Sequence, residues 1–264
     1  MELSYPESSW AGVIHSMSEH RFYVPEVSGV DQRLRLPDDE AAHLTRVLRL
    51  GAGATIHLFD GQGHEFKARV TSVERHGVEA QCLEAVDPTP EPSVSLTLAQ
   101  AVLKGRAFDG VVRDATMLGV RAIQPLVTER TNAPKNAVRR EALRTRWQRV
   151  AVASSKQSGR AIVPVVRPVL SLMDHLSTCH DERHLMLVEP SANHTPSSAL
   201  ALAGPSPPAT ATVTIGPEGG WTEAEQEQGK LRGCDVVTLG ARTLRADAVP
   251  VAAVSVLLYV WGDL

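Results

Sequence analysis

Three segments of the chain combine residue types at spacings that suit chemistry. The first is Ile215-Gly216-Pro217-Glu218-Gly219-Gly220-Trp221-Thr222-Glu223-Ala224-Glu225. An apolar run ends at Ile215, and the turn after it uses glycine's conformational freedom at three positions and proline's fixed φ at one. Thr222 and Glu225 then have the spacing of a capping box, which predicts a helix start. A strand, a tight loop and a helix start in this order are either a plain connection or a backbone wall laid against a flat ligand. The loop matches neither the dinucleotide fingerprint G-x-G-x-x-G nor the phosphate loop G-x-x-x-x-G-K-S/T.

The second segment, Leu239-Gly240-Ala241-Arg242-Thr243-Leu244-Arg245-Ala246-Asp247, follows the expected strand Val236–Leu239 and runs into the last apolar stretch. It puts two cations at a helix start, where the helix dipole disfavours them, and so hints at a use for them. The third comprises Leu103-Lys104-Gly105-Arg106, Leu118-Gly119-Val120 and Gln124-Pro125-Leu126-Val127-Thr128-Glu129-Arg130. Alone, it reads as ordinary punctuation between strands and helices.

These segments need a scaffold, and the hydrophobic pattern predicts one of α/β class. Strands are expected at Ser95–Ala99, Ala122–Leu126, His184–Val188, Ala211–Ile215 and Val236–Leu239, and helices at Phe108–Leu118, Arg139–Lys156, Thr222–Arg232 and Ala248–Trp261. Alternation of this kind predicts a mostly parallel sheet, whose ligands sit beyond the carboxyl ends of its strands. Before it, Asp87-Pro88-Thr89-Pro90-Glu91-Pro92 reads as a stiff linker, dividing the chain into 1–87 and 88–264. The first part is expected to be a small β barrel or sandwich, with strands Ala54–Phe59, Glu65–Val73 and Val78–Leu83 and one helix over Pro37–Leu50, ended by Gly51. Ser197–Pro208 reads as a surface insert.

Composition narrows the classes. The chain is 43% hydrophobic but only 4% aromatic, so its core must rest on Val, Leu, Ile and Ala, as in parallel sheets. Cys82, Cys179 and Cys234 are scattered with no CxxC pair, which argues against a disulfide framework or a metal site and for a reducing cytoplasm. No secretion signal is expected at the N-terminus. The most apolar stretch, Ala246 to Gly262, is short for a bilayer and contains Asp247 and Pro250, so no membrane is expected. The net charge of −3 does not favour nucleic acid. Its distribution does: ten Lys or Arg and one acid, Glu141, lie between Arg130 and Arg167. Such a block either tracks a phosphate backbone or forms a solvated helix face.

Taken together and in order, GPEGGWTEAE, LGARTLRADA, LKGRAFDGVVRDATMLGVRAIQPLVTERT and AVASSKQSGRAIVPVV closely resemble the ribosomal RNA small subunit methyltransferase E family of 16S rRNA uracil-N3 methyltransferases. His20-Arg21-Phe22-Tyr23-Val24, His43-Leu44-Thr45-Arg46-Val47-Leu48-Arg49 and Leu58-Phe59-Asp60-Gly61 extend the likeness through the first part. The family's Glu-Leu-Gly here reads Met117-Leu118-Gly119, and its Arg-Thr/Ala-Glu-Thr-Ala reads Arg245-Ala246-Asp247-Ala248-Val249.

The resemblance implies an N-terminal PUA-like β barrel that helps hold RNA (1–87) and a SPOUT-class α/β domain with a trefoil knot (88–264). It further implies S-adenosylmethionine as cofactor, a homodimer, and 16S rRNA or the small ribosomal subunit as partner. Transferred residue by residue, the cofactor loops are Leu187, Val188 and Glu189; Gly216, Pro217, Glu218, Gly219 and Gly220; and Leu239, Gly240, Thr243, Leu244 and Arg245. Arg245, Asp247 and Glu218 are the candidates for catalysis. Arg21, Arg46, Arg49, Lys104, Arg130, Arg139, Arg140, Arg144, Lys156 and Arg160 are the expected RNA contacts. Two other readings stay open: a SPOUT methyltransferase with a different rRNA or tRNA target, and a non-catalytic RNA-binding assembly factor.

Overall fold

The structure, a computed structural model, describes residues 20–132, 141–190, 204 and 206–264. The chain divides into two compact units, Met1–Pro90 and Glu91–Leu264.

In the first unit β1 (Arg21–Tyr23), β2 (Arg33–Arg35), β3 (Thr55–Phe59), β4 (Glu65–Glu74) and β5 (Gly77–Val86) form one sheet in the order β1-β3-β4-β5-β2. β1 runs parallel to β3 and the other pairs are antiparallel. Register shifts at Lys67/Ala68 and Val70/Ser72 mark irregularities in the long β4–β5 hairpin, where bulges bend strands. Phe22, Leu36, Leu44, Ile56 and Leu58 fill the core beneath. The β3–β4 turn is set by Asp60, whose Oδ1 accepts from the amides of Gln62 and His64.

The single helix expected over Pro37–Leu50 is instead α1 (Asp38–Ala42) continued by a π turn over His43–Val47. The Thr45 hydroxyl donates to the Ala41 carbonyl at 2.8 Å, a back-bond that competes with the regular ladder. Arg49, at φ 54°, takes the left-handed position two residues before the expected stop at Gly51. The three-residue strands β1 and β2 are too short to carry a readable alternation.

The second unit is a seven-stranded sheet built on β6 (Ser95–Ala101), β7 (Ala122–Val127), β8 (Val165–Val166), β9 (Leu170–Ser171), β10 (Arg183–Leu187), β11 (Thr210–Ile215) and β12 (Asp235–Val237). Its order is β12-β10-β11-β6-β7-β8, β9 also pairs with β7, and every pair is parallel. Its helices are α2 (Ala107–Leu118), α3 (Glu141–Ser158), α4 (Leu172–Thr178), α5 (Glu223–Leu231) and α6 (Val249–Trp261). All six residues of β7 are buried, as a strand covered on both faces requires. The Phe108 and Trp147 rings, 4.5 Å apart, lock α2 to α3. Gly119 ends α2 at φ 107°, and a Cβ there would come within 2.6 Å of the Pro92 ring, so only glycine fits. The Asp263 carboxylate accepts from the amides of Ser93 and Val94 and ties the end of the chain to the start of β6. Most of the Ser197–Pro208 segment lies outside the described residues.

The chain starts this sheet at β6, moves outward through β7 and β8, then crosses to β10 and β11 on the other side. That reversal makes β6 and β11 neighbours and opens a crevice past their carboxyl ends, the usual ligand position in such sheets.

Candidate functional site

Three loops at the carboxyl ends of β10, β11 and β12 meet around one cavity of about 390 Å³. Leu187, Val188 and Glu189 come from the end of β10. Gly216, Pro217, Glu218 and Gly220 come from the loop after β11, and Leu239, Thr243, Leu244, Arg245 and Asp247 from the segment leading into α6. Leu103, Ala107, Arg242 and Trp221, which the sequence did not single out as cavity residues, also line it. Gly219 and Gly240 do not. Gly219 lines an adjoining cavity of about 520 Å³, together with Arg130 and Glu223, and Gly240 is exposed at φ 73°.

The glycine loop is held from several sides. The buried Trp221 donates its indole N–H to the Leu187 carbonyl at 2.8 Å, joining the β11 loop to the end of β10. Gly216 packs on that ring, and a Cβ on it would stand 3.1 Å from the indole. Gln100, fully buried at the end of β6, donates its amide to the Gly216 carbonyl at 3.0 Å. The Gly220 amide donates to the Pro217 carbonyl at 2.9 Å, closing a turn with Gly220 at φ 66°. Thr222 and Glu225 form the expected capping box, and Glu225 also accepts from the Glu129 amide. The result is a rigid backbone wall with its open side toward the cavity.

Five charged residues line the cavity, Glu189, Glu218, Arg242, Arg245 and Asp247, and three of them have partners that fix their place. Glu218 is exposed, and its Oε1 accepts from the Lys104 amide at 2.8 Å, so this carboxylate ties the turn after β6 to the glycine loop. Arg245 reaches both oxygens of Asp247, each at 3.1 Å, in a fork-on-fork pair. Its side chain is still 84% exposed, so part of the guanidinium stays available to a ligand. The Arg245 carbonyl accepts from the amides of Ala248 and Val249 and starts α6.

The expected RNA contacts divide. Arg46, Arg49 and Lys104 are exposed, and none has an ion-pair partner among the described residues. Arg130 is exposed but donates to the carbonyls of Gly219 and Trp221, bracing the glycine loop. Arg144 pairs with Glu141 on the same helix face, and Lys156 is half-buried. Arg139 and Arg140 lie outside the described residues. Two expectations are corrected. Arg160 is 4% exposed and is held by Glu91 and the carbonyls of Thr116 and Val120. Arg21 pairs with the buried Glu65 through two hydrogen bonds, 2.7 and 3.0 Å long, and lies over the Phe59 ring. Neither guanidinium faces solvent as a phosphate contact would, because each neutralises a carboxylate within its own unit.

Comparison with known proteins bears on this geometry. An RNA methyltransferase domain matches residues 89–258, and an RNA methyltransferase PUA domain matches residues 36–82. A Synechocystis protein named ribosomal RNA small subunit methyltransferase E is 32% identical over 236 residues, 89% of this chain and 76% of its own length. The Bacillus subtilis protein of the same name is 30% identical, covering 84% of this chain and 88% of its own. A crystal structure of ribosomal RNA small subunit methyltransferase E from Neisseria gonorrhoeae, bound to S-adenosyl methionine, superposes with a TM-score of 0.82. It is 34% identical and covers 92% of this chain and 98% of its own. Among the described residues no helix is long and apolar enough to cross a membrane.

Proposed function

The chain belongs to the RNA methyltransferase family, and from that membership we propose that it transfers a methyl group from S-adenosylmethionine to N3 of one uridine in 16S rRNA. The observation that carries this reading is the cavity shared by the loops at the ends of β10, β11 and β12. Its donor set fits the cofactor. Leu187, Val188, Leu239 and Leu244 offer apolar walls for a flat base. The main chain of Gly216–Gly220 offers close approach, and Glu189 offers acceptors suited to a diol or an ammonium group.

S-adenosylmethionine, when bound, supplies a methyl carbon already activated by a sulfonium leaving group, so the transfer itself calls for no metal. The protein's residues position the target and manage one proton. Uracil N3 is a poor nucleophile until its proton leaves, and the resulting anion spreads over O2 and O4. The exposed face of Arg245 is placed to donate to such oxygens and so stabilise the developing charge. Asp247, with both oxygens on Arg245, orients that guanidinium and is a positioning residue, not the base. The proton passes to Glu218 or to water. Because N3 lies on the Watson–Crick edge, the target uridine enters the cavity unpaired or flipped out.

On this reading residues 1–87 are a PUA-like module that holds RNA, with Arg46 and Arg49 toward the phosphates, and residues 88–264 are a SPOUT-class domain whose chain threads a trefoil knot. The domain works as a homodimer in the cytoplasm. The apolar outer side of α6, where Tyr259 is 63% exposed and Val251 and Val256 are half-buried, supports a second copy seated there.

The test is methylation of small ribosomal subunits, and separately of free 16S rRNA, from a strain lacking this activity, with labelled methyl donor and mass analysis of the nucleosides. One new 3-methyluridine per 16S rRNA is expected. A methyl on any other nucleoside would overturn the N3 assignment. Absence of donor binding in calorimetry would overturn the enzyme reading as a whole.

A further inference from the structure

The same sheet carries a second cluster toward the amino ends of its strands. His175 on α4, Cys179 at the C-cap of that helix and His184 on β10 each offer one ligand atom, and the three atoms lie within 4.8 Å of one another. All three come from one ten-residue stretch. His175 and Cys179 are four apart, so they share a face of the helix turn. His184 is three residues before Leu187 on the same strand, roughly 10 Å away at the usual rise, so this cluster is separate from the cavity. The two imidazole rings are 5.4 Å apart at 76°.

A carboxylate lies beside the cysteine, outside the three-atom cluster. Asp181 Oδ2 stands 3.8 Å from Cys179 Sγ and accepts the Thr212 hydroxyl. The Thr214 hydroxyl lies 2.8 Å from His184 Nε2 and 3.4 Å from His175 Nε2. That hydroxyl has one proton and can donate to only one of the two rings.

We propose that His175, Cys179 and His184, with Asp181 as the fourth ligand, form a structural zinc site. Two imidazole nitrogens, a thiolate and a carboxylate are a donor set of four-coordinate zinc. Thiolate and carboxylate together carry the two negative charges that neutralise the ion in a partly buried place. Binding draws the ligand atoms in from their present spacing toward bonds of about 2.0–2.3 Å, a movement within reach of the Cys179 side chain at a helix end. The ion would staple α4 to β10, the strand whose other end forms a wall of the cavity. Paired-cysteine spacing does not reveal this site, because it uses one cysteine and two histidines.

The test uses the full chain without an affinity tag, stripped with a chelator and kept reduced, and titrated with Zn²⁺ by calorimetry and with Co²⁺ by absorption. One ion per chain is expected, with visible d–d bands, a near-ultraviolet thiolate-to-cobalt band and a higher Tm. Cys179→Ser, chosen because Cys179 is half-buried and not in the core, should abolish the thiolate band and weaken Zn²⁺ binding about 100-fold. His184→Gln should weaken Zn²⁺ comparably and keep the thiolate band at saturating Co²⁺. Cys234→Ser should behave as wild type. No uptake of either ion, a thiolate band that survives in Cys179→Ser, or one lost in Cys234→Ser would overturn the assignment.

Discussion

At the scale of single residues, the Arg245–Asp247 pair is the most informative arrangement. An isolated arginine at a helix start would be disfavoured by the dipole and free to swing. Here a carboxylate two residues on takes two of its donors, each at 3.1 Å, and fixes the plane of the guanidinium at the cavity edge. Arg245→Lys keeps the charge but loses the fork. Its kcat is expected to fall about 100-fold, in the range seen when one donor to a developing oxyanion is removed, with donor affinity nearly unchanged. Asp247→Asn keeps one acceptor for Arg245 and should lose less, about tenfold. Single-turnover methylation alongside calorimetry with the methyl donor checks both. An equal loss of donor binding would place Arg245 in cofactor recognition instead.

At the scale of elements, the loop after β11 is a wall because its neighbours leave it no alternative conformation. The Trp221 indole reaches β10, Gln100 reaches back from β6, and Arg130 grips two of its carbonyls after β7. Gly216 is packed directly against the indole. Its φ is not in the left-handed region, so Gly216→Ala is a test of space and not of backbone strain. The added methyl, 3.1 Å from the indole, requires the ring that bonds the Leu187 carbonyl to give way by a few tenths of an ångström. A loss of about 1–3 kcal/mol in unfolding free energy is expected, as for overpacking elsewhere, with weaker donor binding. Denaturant titration followed by tryptophan fluorescence reads the first, and calorimetry the second.

At the scale of the whole molecule, charge is partitioned between holding each unit together and facing its partners. Glu65 belongs to the first use. Burial alone would raise its carboxyl, but hydrogen bonds from His57 and Arg21 and their charge outweigh burial and hold it at about 2. A carboxyl lowered on folding stabilises fully above its unfolded value of 4.5, and that contribution is lost as pH falls from there toward 2. The first unit should therefore lose about 2 kcal/mol over this window, allowing for residual solvent screening. Glu65→Gln should flatten that pH dependence, as acid titration of near-ultraviolet dichroism would show. Arg46 and Arg49 belong to the second use. Arg46→Glu with Arg49→Glu should weaken RNA binding and lower the slope of log affinity against log salt by about 1.5–2, the value for two phosphate contacts. A slope equal to wild type would remove both from the interface.

Much of this protein is written locally. The parallel sheet was legible because its strands are buried on both faces and read as apolar runs, and α5 because Thr222 and Glu225 satisfy free amides within one turn. The three loops at the cavity were legible as ordered motifs. The short strands β1, β2, β8 and β9 and the helix α4 were not, since two to seven residues hold too few periods to stand above chance. The fate of each arginine was decided only by the fold. Arg160 and Arg46 are alike in sequence, yet one is enclosed with Glu91 while the other meets solvent. The same holds for Cys179, which becomes a candidate ligand only when β10 turns His184 back beside His175. Periodicity and capping are short-range and survive in a string of letters. Charge pairing and ligand geometry depend on residues brought together from distant positions or across a turn, and those neighbours exist only once the chain has closed on itself.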